Sequence, residues 1–166
     1  MTAPGARPRW LWPRVLSFTV LMPGLILVYA PYLWIIGPQR IRESWPPDAA
    51  RLPALFVVAV GFAIYLVCAG RFVTEGLGTP APWDAPRQLV TGGLYRWTRN
   101  PMYVGIVAAL LGEAWLFSSR SQVVFAICMA VAFHIRVALV EEVRLRALFG
   151  ANFEAYCRDV RRWGLF

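Results

Sequence analysis

Two short stretches of this sequence carry polar residues whose types and spacing suit the binding of a small ligand. The first is Arg99-Asn100-Pro101-Met102-Tyr103-Val104-Gly105, where a basic residue precedes a proline at the start of an apolar run. Proline is tolerated in the first turn of a helix, and Thr98 and Asn100 offer side-chain oxygens as caps. A helix start beside an arginine attracts anions. The second stretch is Glu141-Glu142, near the end of another apolar run.

Together the two stretches predict a ligand that carries charges of both signs. Arg99 and the free N–H groups of the helix start suit a carboxylate or a phosphate. Glu141 or Glu142 suits an ammonium, a sulfonium or ribose hydroxyls. The same residues are also typical of a basic topology anchor and of a solvated helix end whose carboxylates pair with Arg144, Arg146 or Arg136. Composition and spacing alone favour this second interpretation over a binding site.

Further ionisable residues lie within the last apolar run, where their burial in a membrane is costly. His134 precedes Glu141 by seven residues, which is two helical turns, so the two share a helix face. We therefore count His134 among the candidate ligand contacts. Neither this histidine nor the cysteines have the spacing of a metal site, and we expect no metal. The three cysteines are widely separated: Cys68, Cys128 and Cys157.

The elements that position these residues are predicted to be membrane-spanning helices. Uncharged runs over 15–36 and 52–70 are long enough to cross a hydrocarbon core of about 30 Å. A shorter run covers 101–117, and a fourth begins near Gln122 and continues past Val140 until Gly150 ends or interrupts it. We expect an all-α polytopic membrane protein with four transmembrane helices, five being the alternative. In this single membrane domain of residues 1–166, the first 72 residues form a two-helix part and residues 73–166 hold the motifs.

The net charge of +8 comes from 17 basic residues, all of them arginines. They flank the apolar runs, which indicates membrane topology rather than nucleic-acid binding. Four spans place twelve arginines on the side that carries both termini and the 72–100 loop, against four on the other side. Because cytoplasmic loops carry the excess of basic residues, the loop, the termini and the site are expected in the cytoplasm, in a bacterial inner membrane. The first run is too long for a signal peptide and is expected to be retained.

The tail after Gly150 has one apolar face, because its large apolar residues recur at alternating steps of four and three. An amphipathic C-terminal helix of this kind either lies on the cytoplasmic leaflet or folds back over a site as a lid. The sequence leaves both alternatives open. The face consists of Phe149, Phe153, Tyr156, Val160 and Trp163.

Taken in order, the motifs of residues 75–163 resemble the isoprenylcysteine carboxyl methyltransferase family of integral membrane enzymes. Each motif is weak alone, but the ordered set is specific. The stretch 76–82 opens the series, Leu89–Tyr95 and Arg99–Gly105 follow, and Glu141-Glu142 comes next. The tail completes it with Phe149-Gly150, Phe153, Tyr156 and Val160-Arg161-Arg162-Trp163.

This resemblance implies S-adenosylmethionine as the methyl donor, with S-adenosylhomocysteine as the product. It implies catalytic roles at the cofactor or the reacting group for Arg99, Glu142 and Arg162, with Tyr156 and Arg161 helping to close the site. Methyl transfer needs mainly positioning in a water-poor pocket, so the lack of a Ser/His/Asp set does not argue against an enzyme. The expected cofactor contacts are Tyr95, Asn100, Pro101, Tyr103, Gly105, Glu141 and, by its helix face, His134.

One departure from the pattern bears on the acceptor. The eukaryotic carboxyl methyltransferases usually have histidine at the position of Asn100, whereas asparagine occurs in bacterial relatives and in the similar phospholipid N-methyltransferases. The expected function is methyl transfer to a lipophilic or membrane-delivered acceptor, an isoprenylcysteine-like carboxylate or a thiol. The alternatives are a phospholipid amine N-methyltransferase and, in another class, a non-catalytic membrane anchor or binding protein.

Overall fold

A computed structural model of the protein describes residues 11–76 and 87–164. Helices form the framework of both ranges. No strand occurs in those two ranges, which confirms the all-α prediction. The motif at 76–82 lies outside them except for Gly76. The main helices are α1 (Leu11–Gly24), α2 (Pro38–Ser44), α3 (Leu52–Thr74), α4 (Pro101–Leu116), α5 (Arg120–Arg136), α6 (Glu142–Phe149) and α7 (Ala151–Asp159).

Short irregular helical segments connect these elements. A π-helical segment, Leu25–Ile35, continues α1, and a π turn, Val137–Glu141, joins α5 to α6. Two 3₁₀ turns, Ala49–Arg51 and Gly93–Arg96, precede α3 and α4. Within the described ranges the chain therefore has three helical segments long and apolar enough to cross a membrane: Pro13–Ile35, Ala49–Thr74 and Arg120–Phe149.

The third predicted span, α4, is the shortest and the most enclosed. Its 16 residues reach about 24 Å along the axis, less than a hydrocarbon core of about 30 Å. Helices α3 and α5 pack on it, and the segment after α1 also touches it. Ten of its residues are buried, including Leu110 and Ala109. The polytopic prediction is confirmed, with α4 as a short helix surrounded by longer ones.

Close contact between α3 and α4 depends on glycine. A Cβ on Gly105 would lie 2.7 Å from the carbonyl oxygen of Gly61, and a Cβ on Gly61 would lie 2.5 Å from that of Gly105. The two backbones therefore touch, as in the small-residue seams of membrane helices. Gly112 continues the seam, where a Cβ would meet Val58 at 2.8 Å. This seam fixes the N-terminus of α4 relative to the end of α3.

The last part of the chain confirms one prediction and corrects another. Gly150, at φ +49°, ends α6 where the sequence indicated a helix stop. The tail helix ends at Asp159, however, and Val160 is extended at φ −126° and ψ 130°, so Trp163 does not share a helix face with Phe153. The extended backbone brings the carbonyls of residues 161 and 162 to the start of α4. In a continued helix these carbonyls would have accepted hydrogen bonds within the helix.

Candidate functional site

A buried carboxylate lies at the centre of a cluster of arginines near the N-terminus of α4. Glu142 is only 3% exposed and begins α6. Arg162 donates to both of its oxygens, Nε to Oε1 at 2.7 Å and Nη2 to Oε2 at 2.8 Å, in a bidentate pair. Arg99 Nη1 lies 3.2 Å from Oε1, and Arg146 Nη2 lies 3.8 Å from Oε2. We call these four residues the arginine cluster.

Positive charge exceeds negative charge in the arginine cluster. Three guanidiniums face one carboxylate, and the only further acid paired with them here is Glu154, 2.8 Å from Arg146 among the described contacts. The side chain of Arg99 is 14% exposed, and its buried Nε has no hydrogen-bond partner among the residues that the structure describes. Its Nη1 also contacts Cys157 Sγ at 2.6 Å. An unsatisfied buried donor in a net-positive cluster favours an anionic group as its partner.

The tail crosses the N-terminus of α4. The Arg99 amide donates to the Arg161 carbonyl at 2.9 Å. Thr98 Oγ1 and Asn100 Nδ2 donate to the Arg162 carbonyl at 3.0 and 3.1 Å. The prediction that side-chain oxygens of Thr98 and Asn100 cap α4 is wrong: Asn100 is the N-cap residue but makes no side-chain cap hydrogen bond to the described helix, and the Thr98 oxygen accepts from the Asn100 amide at 3.4 Å.

A further bond fixes the tail to the segment before α4. Tyr156, on α7, donates its hydroxyl to the Tyr95 carbonyl at 2.7 Å. Phe153, one turn earlier, is fully buried. The tail thus folds back onto the segment before α4, and its role as a lid over a site stays a prediction. An open pocket of about 410 Å³ lies beside this contact, lined by Thr91, Arg96, Tyr156, Asp159 and Val160.

A second cluster joins α4 to the π turn. The Tyr103 hydroxyl bonds Glu141 Oε1, and Arg136 Nε donates to the same oxygen at 2.8 Å. Arg136 Nε also lies 3.3 Å from the Tyr103 hydroxyl oxygen. Tyr103 stacks on Phe133 with ring centroids 4.5 Å apart. The predicted neighbours Tyr103 and Glu141 are thus in contact, across two helices.

The remaining candidate residues have more varied surroundings. His134 Nδ1 accepts a hydrogen bond from Trp163 Nε1 at 3.0 Å and is exposed, while Glu141 faces Tyr103. Pro101 is buried at the first position of α4, as predicted for a helix start. Gly105 lies in the seam with Gly61 and has a packing role there. Tyr95 is buried under the tail, and burial raises its pKa well above the ordinary value.

Three ionisable side chains of the tail keep their protons at neutral pH: Arg162, Cys157 and Tyr156. The hydrogen bond to Glu142 raises the pKa of Arg162, so this side chain stays a cation. Burial raises the pKa of the Cys157 thiol, and neighbouring Arg99 offsets part of that rise. Burial likewise raises the pKa of Tyr156. Cys157 therefore acts as a neutral thiol beside Arg99.

Sequence reasoning missed Cys157, because nothing in its spacing marks it as a member of these clusters. Arg146 and Arg136 are among the partners that a solvated helix end gives the glutamate pair. Arg146 pairs with Glu142 at i+4, and Arg136 reaches Glu141 at i+5 because of the π turn. Across 11–76 and 87–164, no group of three His, Cys, Asp or Glu side chains could hold a metal ion.

Comparison with known proteins gives the family. The sequence model described as phospholipid methyltransferase matches residues 54–152, more than half of the chain. The chain belongs to the phospholipid methyltransferase family. The matched region holds α3 to α6 and therefore Arg99, Tyr103, Glu141 and Glu142, whereas Arg162 and Cys157 lie beyond it.

Two rice proteins are similar to this member of the phospholipid methyltransferase family. Both are named probable protein-S-isoprenylcysteine O-methyltransferase, one from Oryza sativa subsp. indica and one from subsp. japonica. Each is 28% identical over 122 residues, which cover 73% of this chain and 62% of the relative. The chain thus spans less than two thirds of the length that these relatives have. No solved structure matches it.

Proposed function

We propose that this protein is an integral membrane methyltransferase that uses S-adenosylmethionine to methylate a lipophilic, anionic acceptor. The acceptor class is a carboxylate, such as that of an isoprenylated cysteine, or a thiol. Family membership and the names of the rice relatives support the reaction type. The observation that carries the acceptor class is the arginine cluster, whose three guanidiniums surround a single carboxylate.

The donor set fits S-adenosylmethionine, which carries a carboxylate, an ammonium and a sulfonium. Arg99, with its buried unpartnered Nε, and the uncapped N-terminus of α4 are suited to a carboxylate. Glu141 and the Tyr103 hydroxyl supply oxygen acceptors for the cationic groups or for ribose hydroxyls. When bound, S-adenosylmethionine supplies an activated methyl group. The chain's own residues orient the two reactants and exclude water.

The pairing of both glutamates bears on which acceptor reacts. An amine must lose a proton before or during methylation, and an unpaired carboxylate would be the natural base. Glu142 is held by Arg162 and Arg99, and Glu141 by Arg136, so neither carboxylate is left unpaired to take up that proton. A carboxylate or thiolate needs no such base. This chemistry favours an ester or thioether product.

A phospholipid amine remains the second candidate, because the family description names phospholipid methyltransferases and Asn100 occupies the variable motif position.

The excess of arginines on one side supports a cytoplasmic site with both termini on that side. We further propose that the membrane is a bacterial inner membrane and that residues 73–166 carry the reaction.

The test combines binding with product analysis. Purified protein in detergent is titrated with S-adenosylhomocysteine and then incubated with methyl-labelled S-adenosylmethionine and a lipid extract. We expect binding and a labelled lipid whose methyl group is either released by mild alkali, as an ester requires, or alkali-stable and bound to sulfur, as in a thioether. An alkali-stable methyl on a headgroup nitrogen would favour the second candidate. A folded protein that binds no S-adenosylhomocysteine would refute the proposal in favour of a non-catalytic role.

Single substitutions locate the activity in the arginine cluster. Arg99→Gln and Arg162→Gln each remove a guanidinium there and are expected to weaken binding or turnover by roughly 10- to 100-fold, the range for lost charge-assisted bonds. Arg120→Gln is the matched control, because Arg120 is exposed at the opposite end of α5. Equal activity in all three variants would remove Arg99 and Arg162 from the mechanism.

A further inference from the structure

Arg136 is a charged residue in a membrane-spanning segment. The proposed function gives it no contact with either reactant. Its guanidinium Nε lies 2.8 Å from Glu141 Oε1 and 3.3 Å from the Tyr103 hydroxyl oxygen. Tyr103 in turn bonds the same carboxylate oxygen. Arg136 therefore contacts two candidate cofactor contacts, one on each of two helices. A charge this costly inside a membrane is usually retained for function.

The π turn makes the contact between Arg136 and Glu141 geometrically possible. In an α-helix each residue turns the chain by about 100°, so a residue five positions ahead faces about 140° away. The π turn Val137–Glu141 repeats its hydrogen bonds at five residues instead and brings Glu141 back above Arg136. Such single π turns in longer helices are frequent at functional sites.

The same turn determines where Glu142 faces. Glu142 follows Glu141 directly and begins α6. If the π turn changed to α-helical hydrogen bonding with the same residues, every side chain after it would rotate by about 100°. Glu142 would then leave its contacts with Arg162 at 2.7 Å and Arg99 at 3.2 Å. The orientation of the arginine cluster thus depends on a turn that the Arg136–Glu141 pair closes.

We propose that Arg136 is a positioning residue that holds the π turn closed and thereby aims Glu141 at Tyr103 and Glu142 into the arginine cluster. It acts through these residues and has no contact of its own with the reacting groups. The proposal deepens the proposed function, since it rests on Tyr103, Glu141 and Glu142 forming the site. Its geometric part can be measured without any ligand.

Cys157 is the reporter for that geometric part, because its Sγ contacts Arg99 beside Glu142. In a Cys68→Ala, Cys128→Ala background it is the single thiol. We expect a polar maleimide to alkylate Cys157 about tenfold faster in Arg136→Gln than in the parent, the size of effect that residues in one ion-pair network show. Arg120→Gln should label at the parent rate. An unchanged rate in Arg136→Gln would overturn the proposal.

Two further variants separate positioning from a general loss of structure. Arg136→Lys keeps the charge but lacks the planar guanidinium, so its labelling rate should lie between those of the parent and Arg136→Gln. Glu141→Gln should accelerate labelling to a similar extent, and combining it with Arg136→Gln should add little. Full additivity of the two substitutions would contradict the proposal, because independent sites add. If Arg136→Gln does not fold, Arg136→Lys and Glu141→Gln decide the question.

Methyl-transfer kinetics then connect the geometry with the site. We expect Arg136→Gln to raise KM for S-adenosylmethionine about tenfold with a smaller change in kcat, because the reacting groups themselves are retained. An unchanged KM together with faster labelling would confine Arg136 to the fold and refute its link to the site. A parent protein that binds no S-adenosylhomocysteine would refute the proposed function alone, and the labelling rates would still decide the role of Arg136.

Discussion

Replacing Glu142 by glutamine is expected to loosen the tail without detaching it. The substitution removes the only carboxylate of the arginine cluster and leaves Arg99, Arg146 and Arg162 facing one another. Removing one partner of a buried ion pair costs about 3 to 5 kcal/mol. The side chain of Arg162 is 32% exposed, and solvent screening reduces that cost to about 2 to 3 kcal/mol here.

Four neutral hydrogen bonds still hold the tail after this loss. They join Arg99 to the Arg161 carbonyl, Thr98 and Asn100 to the Arg162 carbonyl, and Tyr156 to the Tyr95 carbonyl. At about 1 kcal/mol each they contribute roughly 4 kcal/mol. The tail therefore remains docked most of the time, while its open population rises by roughly 30- to 150-fold.

Limited trypsin digestion in detergent measures that open population. Trypsin cleaves after arginine, and Arg158 and Arg161 lie in the tail on either side of Val160. When opening is fast relative to cleavage, the cleavage rate follows the open population. Glu154→Gln is the matched control, because Glu154 pairs only with the half-exposed Arg146 among its described contacts and contributes at most about 1 kcal/mol. Equal cleavage rates for both variants would refute the role given to Glu142.

Two other predictions address the packing and the thiol. Gly105→Ala should lower the stability by about 1 to 3 kcal/mol in thermal unfolding, since its Cβ would lie 2.7 Å from the Gly61 carbonyl. A Cβ on Gly70 would meet nothing within 4 Å, so Gly70→Ala should be neutral or stabilising. Equal unfolding midpoints for the two variants would contradict the close contact at the seam. Alkylation of Cys157 as the single thiol should reach half its maximal rate at a higher pH in the folded protein than in the denatured chain, because burial raises its pKa and only the thiolate reacts. Coincident pH curves would show that burial does not affect this thiol.

The apolar runs predicted the helical architecture well, because membrane-length hydrophobic stretches leave the backbone few alternatives to a helix. The helix start at Pro101 and the stop at Gly150 followed from local backbone preferences. The contact between Tyr103 and Glu141 agrees with the expectation that the two motif stretches meet. These features depend on composition or on a single residue's conformation, which a sequence displays directly.

The errors lie where distant residues compete for the same groups. Thr98 and Asn100 have the chemistry of caps, but neither makes a side-chain cap bond to α4, and their donor groups bind the Arg162 carbonyl, more than 60 residues away. The apolar spacing of the tail continues to Trp163, yet this contact keeps the backbone extended after Asp159. The pairing of Arg136 with Glu141 needs a π turn, for which helical periodicity gives no signal. Roles for Gly105 and His134 at a cofactor stay predictions.

The arginine cluster draws its members from three segments of the chain that are synthesised one after another. Arg99 precedes α4, Glu142 follows the π turn, and Arg162 lies in the tail. Membrane helices insert first and associate afterwards. The seam of α3 and α4 can form as soon as both helices are in the bilayer, whereas the cluster must wait until the tail has been synthesised. The seam of α3 and α4 can therefore form before Glu142 meets Arg162.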